Sequence, residues 1–193
     1  MKISIIAVDY EHHVPRYGAY RGLLSISEQT SKDFELIIIH DGPKEVPYEE
    51  EFDFKELNLN PVITNTSHRM NDWGHSSRDW GMRMANGDYF LQFNIDNVLY
   101  PDAIEEICRK IDESGTPIVI FSIIHHKDND KLYTGIPPDL YNIDCMQLVG
   151  HRDMWQELDY WYDKRDSSDG WMYEVITRKY NYSNIEKCLG ENY

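Results

Sequence analysis

Cysteines and long apolar runs are both scarce in this sequence. The 3 cysteines, Cys108, Cys145 and Cys188, lie far apart and form no CxxC pair, so neither a disulfide framework nor a zinc knuckle is expected. This cysteine usage favours a reducing, cytoplasmic location. The apolar run over residues 3–8 is too short for a signal peptide or a membrane span, and neither is expected.

Basic residues are also in short supply. The chain has 19 Lys and Arg against 34 Asp and Glu, which gives a formal net charge of -15 over 193 residues. So acidic a surface repels phosphate backbones and anionic lipids, and we expect no nucleic-acid or membrane-surface partner. A phosphate-bearing ligand would need locally organised positive charge, either from a few arginines or from a bound divalent cation.

The common short motifs of nucleotide and hydrolase chemistry are missing as well. The sequence has no GxxxxGK[ST] loop, GxGxxG turn, GxSxG elbow or HExxH helix. Their absence disfavours nucleoside-triphosphate hydrolysis, dinucleotide redox chemistry and α/β-hydrolase chemistry. Aromatic residues are plentiful at 13%, with 14 Tyr and 5 Trp. Flat apolar faces suit sugars and bases equally, so composition does not choose between them.

Hydrophobic patterning predicts a sheet with helices between its strands. The β-branched runs over residues 3–8 and 34–39 are typical of strands buried on both faces of a parallel sheet. Further strands are predicted at 61–65, 89–93 and 118–124, and helices at 16–29, 75–85, 102–114 and 169–180. This alternation predicts one α/β domain over residues 1–193, with a mostly parallel, Rossmann-like sheet flanked by helices. We expect residues 44–60 to be a solvated surface segment and 125–138 a polar loop.

Polar residues follow three of the predicted strands: Asp9-Tyr10, His40-Asp41-Gly42 and Asn94-Ile95-Asp96-Asn97. In open α/β sheets, ligands bind outside the carboxyl ends of the strands. Three aspartates are therefore expected along one edge, where their mutual repulsion requires compensation by a metal or by ligand hydrogen donors. Each aspartate could instead simply cap the helix that follows its strand.

Four side chains stand out as candidates for chemistry, each with a plain structural alternative. Asp96 suits Mg²⁺ or Mn²⁺, and Asn94 could bind the ion weakly or contact a ribose hydroxyl, although an Asx turn needs no ligand. Arg78 could approach a phosphate at the start of a helix or form an internal Arg–Asp pair. Asp169 could be a general base for a hydroxyl or only a helix N-cap.

Five segments, taken in order, carry the motifs of a known family. They are Ser25-Ile26-Ser27-Glu28-Gln29-Thr30, His40-Asp41-Gly42-Pro43, Ser77-Arg78-Asp79-Trp80-Gly81, Ala85-Asn86-Gly87-Asp88-Tyr89 and Asn94-Ile95-Asp96-Asn97-Val98-Leu99-Tyr100-Pro101. These segments, and the spacing between them, resemble those of the inverting family 2 glycosyltransferases of the GT-A fold over residues 3 to about 114. Beyond that point the resemblance rests on Ser168-Asp169, at the place of a family Glu-Asp pair.

This resemblance implies an enzyme that moves a sugar, with inversion, from a nucleotide-diphosphate sugar, a UDP-sugar being favoured, to a glycan or other hydroxyl acceptor. Residues 1–114 would bind the donor and 115–193 the acceptor, and a homo-oligomer is possible. The implied donor site consists of Val8, Asp9, Tyr10, Asp41, Arg78, Asn94 and Ile95. Asp96 would hold Mn²⁺ or Mg²⁺, and Asp169 would deprotonate the acceptor. The alternatives are a catalytically inactive binding relative, suggested by Asn94 and Ser168 in the family's acidic positions, and a nucleotidyltransferase.

Overall fold

A computed structural model describes residues 2–10 and 16–193 of the chain. Within them the strands are β1 Ile3–Tyr10, β2 Phe34–Asp41, β3 Val62–Asn65, β4 Tyr89–Asn94, β5 Val98–Leu99, β6 Ile118–His125, β7 Lys131–Tyr133, β8 Leu148–His151 and β9 Tyr182–Asn192. The helices are α1 Arg16–Ser27, α2 Tyr48–Glu51, α3 His75–Met84, α4 Ala103–Ser114, α5 Arg152–Glu157 and α6 Ser168–Lys179. Two short 3-10 turns occupy His126–Asp128 and Cys145–Gln147.

All the described strands join one sheet, in the order β3-β2-β1-β4-β8-β6-β9-β5, with β7 paired to β6. β1, β2, β3, β4, β6 and β9 run in one direction, and β5, β7 and β8 run against them. Strands β6, β8 and β9 extend the sheet begun by β1 to β4, so it continues through both predicted halves of the chain. The predicted α/β fold with a mostly parallel sheet is confirmed.

Hydrophobic layers cover both faces of the sheet. On one face Ile3 and Ile5 of β1 pack with apolar residues of α1 and α4, and on the other Ile6 and Val8 pack with those of α3, α5 and α6. Burial on both faces explains why β1, β2 and β6 are almost continuous apolar runs. The described residues include no helix with the length and apolar character needed to cross a membrane.

Two connecting segments contain structure that was not predicted. Residues 44–60 lie mostly at the surface, as expected, but they also contain α2, where Tyr48 and Phe52 turn inward together with Leu57. Residues 125–138, expected to be a polar loop, form a 3-10 turn and then β7, because main-chain pairing with β6 does not require an apolar sequence. Strand β9 was not predicted at all.

Candidate functional site

The strands that run in one direction end at a single edge of the sheet, and two adjoining cavities lie there. The first, which we call the central cleft, has a volume of about 210 Å³ and is lined by Val8, Asp9, Tyr10, Trp73, Gly74, Asn94, Asp96 and Lys127. The second, the side cleft, has a volume of about 200 Å³ and is lined by Tyr10, Asp41, Arg69, Asn71, Trp73 and Gly74. A larger depression of about 640 Å³, at Arg16 and residues 49–54, is lined by none of the predicted site residues.

Asp9 and Tyr10 end β1, and Asp9 lines the central cleft while Tyr10 lines both clefts. The Asp9 carboxylate accepts hydrogen bonds from the Tyr48 hydroxyl at 2.6 Å and from the Tyr10 backbone N–H at 2.7 Å. Burial raises the pKa of Asp9, and the Tyr48 hydrogen bond opposes that rise. The Arg69 guanidinium lies 4.5 Å from the centre of the Tyr10 ring, so the side cleft offers flat aromatic and cationic surfaces.

Asp41 ends β2 and is almost completely buried. Its carboxylate accepts the backbone N–H groups of Met70 at 2.8 Å and Asn71 at 3.1 Å, and the Thr66 hydroxyl at 3.3 Å. These bonds fix the loop that carries Arg69 and Asn71 into the side cleft. Asp41 therefore both lines this cleft and determines its shape.

Arg78 lies buried in α3 and lines neither cleft. It donates one hydrogen bond to the Asn94 side-chain oxygen and another to the Trp73 carbonyl at 2.7 Å. Trp73 has a φ of 57°, which bulky residues rarely adopt. The internal Arg–Asp pair considered as an alternative is not seen among the described residues. Arg78 instead holds the Asn94 side chain and the Trp73 backbone, and both of these residues line the central cleft.

The segment that carries Asp96 is held against β1 and α1. Ile95 is buried, and its backbone N–H donates to the Val8 carbonyl at 3.1 Å. Arg21 of α1 donates to the Asp96 carbonyl at 2.9 Å. At Gly22, helix α1 lies so close to the backbone of Ile95 that a Cβ atom added to the glycine would lie 1.9 Å from the Ile95 carbonyl oxygen. This backbone packing directs Asp96 into the central cleft.

Asp169 lies in the first turn of α6, whose N-cap residue is Ser167 and has no side-chain capping bond. The N-cap alternative for Asp169 is therefore not observed. Ligand atoms of Asp144, Cys145 and Asp169 lie within 4.8 Å of one another. Burial raises the pKa of Asp169 from 3.8 to about 6, and the negative charge of Asp144 adds to that rise. A carboxyl group with such a pKa can accept a proton near neutral pH.

A buried network anchors the residue before Asp169. The Ser168 hydroxyl accepts a hydrogen bond from the Trp161 indole N–H at 3.0 Å and lies 3.1 Å from His75 Nε2. The His75 and Trp161 rings stack with their centres 5.6 Å apart. Burial, reinforced by the charge of Arg78, lowers the pKa of His75 to about 4, so this imidazole is neutral at pH 7. Sequence analysis did not identify this network.

Comparison with known proteins identifies the family. The model of Glycosyl transferase family 2 matches residues 19–169, which is more than half of the chain.

The chain belongs to glycosyl transferase family 2.

Two curated relatives of this family 2 domain are both named as uncharacterized glycosyltransferases. One, from Haemophilus influenzae, is 30% identical over 114 residues, which cover 58% of this chain and 35% of the relative. The other, from Rickettsia conorii, is 29% identical over 138 residues, which cover 67% of this chain and 20% of the relative. The chain thus spans about a third or less of the length of these relatives.

Solved structures share the fold of the family 2 domain. S. aureus TarS residues 1–349 in complex with UDP superposes with a TM-score of 0.82 at 14% identity, over 99% of this chain and 60% of that one. The mannosyltransferase PcManGT from Pyrobaculum calidifontis, in complex with GDP-Man and Mn²⁺, gives a TM-score of 0.71 at 11% identity, over 99% of this chain and 56% of that one. At such low identities these matches establish the fold.

Among residues 2–10 and 16–193 of the family 2 domain, two places have side chains suited to a divalent cation. Asp96 offers carboxylate oxygens in the central cleft, and Mg²⁺ and Mn²⁺ prefer one or two carboxylates completed by water and phosphate oxygens. The amide oxygen of Asn94 is already bonded to Arg78, so Asp96 is the better ligand of the two. The donor chemistry at Asp96 therefore fits such an ion.

The second place is the group formed by Asp144, Cys145 and Asp169. Burial raises the pKa of the Cys145 thiol well above its usual value, whereas a metal requires the thiolate. The Arg78 guanidinium nitrogen lies 3.6 Å from the Cys145 sulfur and would repel a cation there. The Asn192 side-chain amide donates a hydrogen bond to Asp144 at 3.0 Å, so one oxygen of that carboxylate is already engaged. This group fits a metal less well than Asp96 does.

Proposed function

We propose that this domain is a metal-dependent, inverting glycosyltransferase of the hexosyltransferase type that uses a nucleotide-diphosphate sugar and a hydroxyl acceptor. The observation that carries the proposal is the pair of adjoining clefts at the carboxyl ends of β1, β2 and β4. The side cleft has flat aromatic surfaces beside polar and charged side chains, and the central cleft has a carboxylate, that of Asp96, suited to a cation. A nucleoside diphosphate has the same two parts, a flat base and a charged diphosphate.

In this proposal the side cleft binds the base. Tyr10 and Trp73 present aromatic faces, while Asp41 and Asn71 provide acceptors and donors for a planar heterocycle. We favour a UDP-sugar as the donor, on the support of the TarS structures with UDP and UDP-GlcNAc. The GDP-Man complex of PcManGT makes a GDP-sugar the alternative to test.

The central cleft then holds the ribose and the diphosphate. Val8, Asp9 and Asn94 line it, Arg78 contributes by holding Asn94, and Ile95, which is buried and lines neither cleft, contributes only through its backbone hydrogen bond to Val8. Mn²⁺ or Mg²⁺ bound at Asp96 would supply positive charge to the departing diphosphate. Residues 1–114 thus form most of the donor half of the domain.

Asp169, from the half formed by residues 115–193, acts as the general base in this proposal. The acceptor hydroxyl gives its proton to the carboxylate, and its oxygen attacks the anomeric carbon on the side opposite the diphosphate, which inverts that centre. Because burial raises the pKa of Asp169, its carboxylate is a stronger base than an exposed aspartate.

All three cysteines are free thiols, which supports the proposed cytoplasmic location.

Binding and transfer assays on the purified chain test the proposal. Titration calorimetry should show saturable, Mn²⁺-dependent binding of UDP or GDP and of at least one corresponding sugar. Asp96→Ala should abolish the metal-dependent part of that binding, whereas Asp169→Ala should leave binding intact and stop transfer. Absence of saturable binding to every nucleotide sugar tried would refute the proposal. Tight binding with neither transfer nor donor hydrolysis would instead identify a catalytically inactive relative.

A further inference from the structure

The central cleft contains a basic side chain that neither the family motifs nor the strand-end pattern indicated. Lys127 lies two residues beyond the end of β6, and its side chain lines the cleft with Asp9 and Asp96. β6 runs in the same direction as β1 and β4, so the turn that follows it lies at the same edge of the sheet. The topology alone therefore brings Lys127 to the two carboxylates.

The turn that carries Lys127 is fixed on both sides of it. His126 Nε2 lies 2.9 Å from a Glu191 carboxylate oxygen, and the Tyr133 hydroxyl donates to Asp128 at 3.1 Å. Lys127 is exposed and forms no ion pair with any residue in 2–10 or 16–193. Nearby Lys131 differs, because it pairs with Asp128 at 3.5 Å. The Lys127 backbone is thus held in place while its ammonium group is available to a ligand.

The other cations near this edge are engaged elsewhere. Arg78 is buried on Asn94, and Arg69 lies over Tyr10 in the side cleft. Within the described chain, Lys127 is the one basic side chain among the residues that line the central cleft. A diphosphate entering a cleft with two aspartates needs positive charge, and one ammonium on the rim supplies part of it.

We propose that Lys127 is a catalytic residue that binds the donor diphosphate and stabilises it as it departs. The inference rests on the proposed function. In the transfer step a bond forms between the acceptor oxygen and the anomeric carbon, while the bond from that carbon to the β-phosphate oxygen breaks. The electron pair stays on the phosphate oxygen, and the acceptor proton goes to Asp169. Lys127 keeps its proton and donates a charge-assisted hydrogen bond to the oxygen that gains charge.

The test compares Lys127→Ala and Lys127→Arg with Lys131→Ala, a matched control on the same exposed segment. Calorimetry in the presence of Mn²⁺ measures binding of UDP and of uridine, or of GDP and guanosine if the wild type prefers them. Lys127→Ala should weaken diphosphate binding at least about tenfold and leave nucleoside binding within about twofold. It should lower kcat for the nucleotide sugar by at least the same factor. Lys127→Arg should restore most of both, and Lys131→Ala should behave as the wild type.

Each outcome separates this inference from the proposed function. If the wild type binds no nucleoside diphosphate, the proposed function fails and this inference fails with it. If the wild type binds but Lys127→Ala matches it in diphosphate affinity and kcat, only the inference fails. Equal losses of nucleoside and diphosphate affinity in Lys127→Ala would also overturn it, because they would reflect a change in the shape of the cleft.

Discussion

Replacing Asp169 with Asn should make the folded protein more stable at neutral pH while abolishing transfer. Burial and the neighbouring Asp144 raise the pKa of Asp169 from 3.8 to about 6 in the folded state. The folded protein therefore holds this proton more tightly than the unfolded chain, and stability falls as pH rises from about 4 through about 6. At about 1.4 kcal/mol for each pH unit, the charged carboxylate costs at most about 3 kcal/mol above pH 7.

The neutral side-chain amide of the Asp169→Asn variant removes that cost. Urea unfolding in EDTA should give the variant and the wild type unfolding free energies within about 0.5 kcal/mol of each other near pH 3.5, below both pKa values of Asp169. As the pH rises, the unfolding free energy of the variant should come to exceed that of the wild type, by at most about 3 kcal/mol at pH 7.5. Asp166→Asn, at an exposed position before α6, is the matched control and should stay within about 0.5 kcal/mol of the wild type at pH 7.5. A variant that is no more stable than the wild type at pH 7.5 would refute the assignment of a raised pKa to Asp169.

Three further predictions concern the same site. Because Asp169 must be deprotonated to act as a base, kcat should rise with pH through about 6 and then level, and a flat profile between pH 5 and 7 would contradict its role. Asp96→Asn should remove the Mn²⁺-dependent part of the thermal shift caused by UDP, and an unchanged shift would place the ion elsewhere. Gly22→Ala should lower the unfolding free energy by about 1–3 kcal/mol because its Cβ would overlap Ile95, whereas Tyr20→Ala at an exposed position should not.

The elements that sequence analysis predicted correctly are those with strong local signals. β1 and β6 are apolar on both faces, which a strand in the middle of a parallel sheet requires. α4 combines Pro101 before its start with apolar residues at helical spacing and Gly115 in the left-handed conformation at its end. Each of these signals lies within one short window of sequence.

β9 lacked such a signal. Its residues alternate irregularly between buried and exposed, and its pairing with β6 shifts register on either side of Ser122. Strand formation here depends on a partner about sixty residues earlier in the chain, which a local window cannot show. α2 was missed for a related reason, since the charge of Glu49, Glu50 and Glu51 masked the apolar pair that it buries.

The candidate site was predicted in part, because its acidic residues follow strands that were recognised. The ends of β1, β2 and β4 supplied Asp9, Asp41 and Asp96, and the rule that ligands bind at strand ends was applied to those three. The same rule, applied to β6, would have found Lys127. Contacts between distant parts of the chain could not be predicted, such as the contact of Ser168 with His75 across 93 positions of sequence.

The positive charge that so acidic a chain needs is divided between two tasks. Arg21, Arg69 and Arg78 are held in place by a carbonyl, an aromatic ring and an amide, so their charges shape the clefts. A guanidinium suits that task because it forms several directed bonds and stays charged when buried. Lys127 carries a compact charge on a flexible stem at the rim of the central cleft. This division lets the clefts keep their shape before the donor binds, while the side chain proposed to follow the departing diphosphate remains free to move.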